Sequence, residues 1–148
     1  DLSGADLRGA SLNETVLINA DLTDAKIEKG QLDQALLCNT KTIDETVSGC
    51  DLSWQNLVGV DLREVNLRGA NLRGANLSEA NLSEANLRDT NLRGANLTGA
   101  DLTGVDLSEA DLSEADLSEV NLRRTNLTGT TFCKTTMPGG ELNNASCD

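Results

Sequence analysis

Ala70-Asn71-Leu72-Arg73-Gly74, Ala75-Asn76-Leu77-Ser78-Glu79 and Ala80-Asn81-Leu82-Ser83-Glu84 follow one another without a break. A period of five fits no α-helix, because five residues advance a helix by about 140° beyond a full turn and the leucines would smear round the cylinder. Nor does it fit a long strand, where successive leucines would face opposite ways. It fits a short extended triad followed by a corner. In Ala-Asn-Leu the first and third residues face inward and the middle one outward. The next two residues turn the chain, and Gly at the second supplies a positive φ. Glu at many equivalent corners implies a second turn type that avoids this demand.

The register extends outward from that stretch over the whole chain. Reading every fifth residue from Leu2 to Cys147, 24 of 30 positions are Leu, which leaves no room for a second pattern. The position two earlier is Ala in 14 of 29 cases and mostly another small residue otherwise, so the core is narrow. Asp or Asn precedes the central residue in 19 of 30 cases, placed to bond backbone groups near the corner.

With its Ala-(Asp/Asn)-Leu-X-X consensus, as in Ala70-Asn71-Leu72-Arg73-Gly74 and Ala110-Asp111-Leu112-Ser113-Glu114, the chain resembles the Leu-centred pentapeptide-repeat family over essentially its full length. The resemblance implies an all-β fold, a right-handed quadrilateral β-helix with four pentapeptides per coil. Twenty residues per coil makes roughly seven coils, spaced by about 4.8 Å. We expect a single solenoid over residues 1–148, with an irregular segment near 38–49 and a C-terminal cap near 130–148.

Composition narrows function. His is absent, and aromatic residues are limited to Trp54 and Phe132. The usual proton shuttle and the commonest metal ligand are therefore missing, and the core must be aliphatic. We expect no catalytic residue, no cofactor and no metal site. A net charge of −12 repels nucleic-acid phosphates and anionic membranes. No apolar run approaches the length of a membrane span, so no membrane insertion is expected. The chain opens at Asp1 inside a repeat and without an initiator Met, from which we expect residues to precede it.

Two segments break the pattern, and they resemble each other. Leu37-Cys38-Asn39-Thr40-Lys41-Thr42 matches Phe132-Cys133-Lys134-Thr135-Thr136-Met137, and each is followed by a second cysteine. Thr42 and Val47 occupy Leu positions and Glu45 a small-residue position, so a bulge or outward loop is expected there. The Thr-Thr-Met-Pro-Gly-Gly run looks like C-terminal segments of cyanobacterial pentapeptide-repeat proteins. The four cysteines are candidates for two local disulfides, Cys38 with Cys50 and Cys133 with Cys147, against an alternative of four reduced thiols. Disulfides would imply an oxidising compartment, periplasm or thylakoid lumen, and reduced thiols the cytoplasm.

Surface charge and apolarity give the remaining candidates. Asp101, Asp106, Glu109, Asp111, Glu114, Asp116 and Glu119 crowd one coil, but its four Asp point from four faces and form a solvated collar rather than a calcium site. Arg68 with Arg88, and Arg73 with Arg93, stack at 20-residue spacing among Glu64, Glu79, Glu84 and Asp89, where ion pairing is expected. Val16, Ile18, Leu36, Cys38 and Val58 hold outward positions beside Trp54, an interaction stripe covered by the 38–49 loop or by a partner.

We expect a non-enzymatic scaffold that presents flat side-chain ladders to a protein partner, as a monomer or a weak end-to-end or face dimer. The alternative is a DNA-mimicking regulator of a topoisomerase. Some family members resemble duplex DNA in charge and girth and act on gyrase, and those resemble a Phe-centred core with a dimerising C-terminus. Here the core is Leu and basic residues interrupt the acidic surface.

Overall fold

A computed structural model of the chain describes residues 1–13, 15–42, 46–47 and 50–147, with only the backbone of 46–47. The bulge or outward loop expected at Glu45 falls on residues outside those described. Two compact units result, Asp1–Cys50 and Asp51–Asp148.

In the second unit the five-residue period becomes a 20-residue ladder. Parallel bridges link Asp51, Asn71, Asn91, Asp111 and Thr131 in series, and Asn56, Asn76, Asn96, Asp116 and Thr136 beside them. The other two faces carry Asp61, Asn81, Asp101, Asn121 and Asn66, Asn86, Asp106, Asn126. Most rungs use the same bonds. The Leu72 amide donates to the Asn91 carbonyl at 2.7 Å, the Gly74 amide to Arg93 at 2.9 Å, and the Asn91 amide returns to Ala70 at 3.0 Å. Leu52 is 2 % exposed and every fifth leucine from Leu57 to Leu117 is fully buried. Each contributes about 1.5–3 kcal/mol by leaving water.

Every corner from Asp61 to Asn126 also has the same local brace. The Asp or Asn Oδ1 accepts the amide two residues on, at 2.9 Å from Thr103 to Asp101 and 3.1 Å from Arg88 to Asn86. This accounts for the Asp/Asn preference, since both residues offer that oxygen.

The corners correct one expectation. Glu does not select a turn without positive φ: Glu64, Glu79, Glu84, Glu109, Glu114 and Glu119 all lie between +58° and +63°. A left-handed non-glycine residue costs roughly 1–2 kcal/mol. Two hydrogen bonds hold each corner there. Glu84 donates to Thr103 at 2.9 Å, and Ala85 closes the turn onto Leu82 at 2.9 Å.

The first unit carries the same bridges at Asp6 to Lys26, Val16 to Leu36 and Asp21 to Lys41. Leu17, Leu22 and Ala25 form its buried centre. In place of another regular coil, β1 (Thr40–Lys41) pairs antiparallel with β2 (Thr46–Val47). The second unit ends likewise, β3 (Thr135–Thr136) pairing with β4 (Leu142–Asn143).

Candidate interaction surfaces

The two hairpins are built alike from like sequence. Asn39 and Lys134 are left-handed, at φ +50° and +55°. The next residue, Thr40 or Thr135, is fully buried and donates its hydroxyl 23 residues back, to Leu17 at 2.6 Å or Leu112 at 2.7 Å. A cysteine pair straddles each hairpin. Cys38 and Cys50 stand at disulfide distance with Cα atoms 4.7 Å apart, and Cys133 and Cys147 with Cα atoms 4.8 Å apart. Cys38 is thereby buried rather than outward.

The residues expected in one apolar stripe fall in different units. Val16, Ile18 and Leu36 are half-buried in the first. In the second, Trp54 is 71 % exposed and Val58 46 %. The contacts of Trp54 include two from the coil ahead. Arg73 sits over its ring at 5.8 Å, and the ring lies so near Gly74 that a Cβ there would be 2.2 Å from it.

That arrangement recurs along the corners and was missed from sequence. Glu84 folds over Gly104 and Glu109 over Gly129, where a Cβ would meet carboxyl atoms at 2.5–2.8 Å. The signal was present as a large corner residue followed 20 positions on by Gly.

Ion pairing follows its own offset. Arg68 reaches Asp89 at 3.1 Å and Arg93 reaches Glu114 at 2.6 Å, each 21 residues ahead. Arg88 also approaches Asp89 at 3.5 Å. Glu64, Glu79 and Glu84 take no part in these pairs. All are exposed contacts of small net stabilisation.

In the acidic coil the carboxylates brace their own corners. Hydroxyls at Thr103 and Ser108 hold the carboxyls of Asp101 and Asp106 below their usual range. Amides reach carboxylates between rungs too, from Asn71 to Asp51 and from Asn126 to Asp106, both at 3.0 Å. Among the described residues no helix is long and apolar enough to cross a membrane.

The sequence matches the family described as pentapeptide repeats in eight copies, over residues 1–37, 48–83, 80–118 and 110–146. The chain belongs to the pentapeptide-repeat family. Its fold is accordingly the right-handed quadrilateral β-helix, and proteins of this family are generally structural or interaction proteins rather than enzymes. A similar solved structure is HetL, a pentapeptide repeat protein involved in heterocyst differentiation regulation in the cyanobacterium Nostoc, 30 % identical with a TM-score of 0.67. The match covers 95 % of this chain and 63 % of HetL. Rfr23 from the cyanobacterium Cyanothece is 32 % identical with a TM-score of 0.52, over 83 % of this chain and 61 % of its own. A pentapeptide repeat protein of the Arabidopsis thaliana thylakoid lumen is 37 % identical, over 58 % of this chain and 63 % of that one, with a TM-score of 0.47. The chain thus spans less than two thirds of the length of these relatives. No curated protein matches it.

Proposed function

We propose that this pentapeptide-repeat chain is a non-enzymatic scaffold whose faces present side-chain ladders to a protein partner. The observation that carries the reading is the pair of rows in each rung of the second unit: leucines closed inward, Asp and Asn aligned outward at 20-residue spacing. Such a surface is flat, rigid and repetitive, and suits extended contact better than enclosure of a small substrate. Trp54, exposed and propped against Arg73 and Gly74, supplies the kind of anchor on which binding energy concentrates.

The reading includes the expected solenoid of roughly seven coils over residues 1–148, and an oxidising compartment, periplasm or thylakoid lumen, in which both cysteine pairs are bonded. Gyrase regulation by DNA mimicry is the weaker reading, because Arg68, Arg73, Arg88 and Arg93 interrupt the negative surface such mimicry needs. The test is capture of partners from the source organism by the chain and by a Trp54→Ala, Val58→Ser variant. A specific partner lost with the variant supports the scaffold reading. Inhibition or protection of gyrase in a supercoiling assay would replace it. Non-reducing mass spectrometry of protein from its own compartment tests the cysteines, and free alkylation of Cys133 and Cys147 would remove the oxidising-compartment argument.

A further inference from the structure

We propose that the edge formed by residues 120–129 is a docking site for an acidic extended segment of another protein, which adds in parallel as the next rung. This surface is separate from the face ladders and stands whether or not they bind a partner.

Inside the second unit a completed rung such as 95–99 passes two amides forward and receives one amide on a carbonyl. Leu97 donates to Asp116 and Gly99 to Ser118, while Asp116 donates to Ala95. At the end of the unit this exchange continues on two faces only. Leu112 donates to Thr131 and Leu117 to Thr136, and the tail adds a bond from Ser146 to Phe132. On the other two faces the forward bonds stop. Among the described residues the amides of Leu122, Arg124, Leu127 and Gly129 and the carbonyls of Val120 and Thr125 have no backbone partner. They form two adjoining edges with the donor and acceptor spacing of every completed rung, the arrangement that strand addition uses.

Two further observations say what fits there. Leu122 and Leu127 are only half-buried, whereas the leucines of the same series from Leu57 to Leu117 are fully buried. An incoming rung must therefore bring apolar side chains to lie over them. Arg123 and Arg124 stand exposed at the corner between the two edges, with no carboxylate partner among the described residues. Arg68 and Arg93 show what such an arginine does when a further rung is present: each reaches an acid at the next corner. The matching segment has a small residue, an outward Asp or Asn, an inward Leu and an acid at the corner.

Charged edges can also serve to prevent pairing, and one experiment separates the two roles. The full chain with both cysteine pairs oxidised is titrated with a peptide of three Ala-Asp-Leu-Ser-Glu repeats, and amide hydrogen exchange is followed residue by residue. The expected result is saturable protection of Leu122, Arg124, Leu127 and Gly129. It should be weakened about tenfold by Arg123→Glu with Arg124→Glu, while the melting temperature of that variant stays at the parent value. Absence of saturable binding, equal binding of a scrambled peptide, or protection confined to other residues would overturn the proposal.

Discussion

Gly74 shows how a single residue is fixed by the coil before it. Its φ is +64°, and the Trp54 ring occupies the space a Cβ would need. Gly94, with φ +67° and nothing within 4 Å of that Cβ, carries only the backbone demand. Gly94→Ala should then cost about 1–2 kcal/mol. Gly74→Ala should cost a similar amount and in addition move the indole off Arg73, visible as a shift in Trp fluorescence that Gly94→Ala does not produce. The two fluorescence spectra being alike would show that the ring is not seated there. At Asp101 and Asp106 the controlling variable is pH. Their folded pKa values are depressed, so their contribution is present above the unfolded value of about 3.9 and is lost as pH falls through the folded one. Asn keeps the bracing oxygen without titrating, as Asn121 and Asn126 do. An Asp101→Asn, Asp106→Asn variant should lose less stability than the parent as pH falls below about 3.9, as a melting-temperature series would record. Parallel curves would remove these two groups from acid unfolding.

The pentapeptide and the cap hairpin are the two elements, and they were unequally legible. Leu at every fifth position decided the fold because no other backbone period brings such a series to one side. The Asp/Asn brace was legible for the same reason, its acceptor being local. The positive φ of Glu79 or Glu84 was not, because one of the two bonds that hold it goes to a carbonyl 19 positions ahead. The likeness of 37–42 to 132–137 was visible, but the hairpins that follow depend on cross-strand pairs whose partners carry no motif. For the caps, closure is the quantity to test. A Cys133→Ala, Cys147→Ala variant removes a link across a sequence separation of 14. A loop of that size predicts a loss of about 3 kcal/mol. Hydrogen exchange should rise first at Thr135, Thr136 and Asn143 while residues of the first unit keep their protection. Uniform loss in both units would mean that the link supports more than its own cap.

At the scale of the molecule the question is how a chain of net charge −12 stacks rungs about 4.8 Å apart. Two carboxylates at that distance repel by about 1 kcal/mol in water, and more beside a protein surface. Asp101, Asp106, Asp111 and Asp116 make one all-Asp coil, and the preceding coil places Asn81, Asn86, Asn91 and Asn96 against them. Asn121 and Asn126 follow on two faces. The amide bonds between rungs run backward along the chain, from Asn126 to Asp106 and from Asn71 to Asp51. Replacing Asn81, Asn86, Asn91 and Asn96 together by Asp keeps every bracing oxygen, so any loss is a charge effect. Asn81→Asp is the most costly of the four, because it sits between Asp61 and Asp101. The quadruple variant should melt below the parent at neutral pH and low ionic strength. Salt near 0.15 M, with a screening length of about 8 Å, should recover part of the difference. Equal melting temperatures at low salt would mean that solvent already screens stacked carboxylates, and the alternation of Asn and Asp would then need another cause.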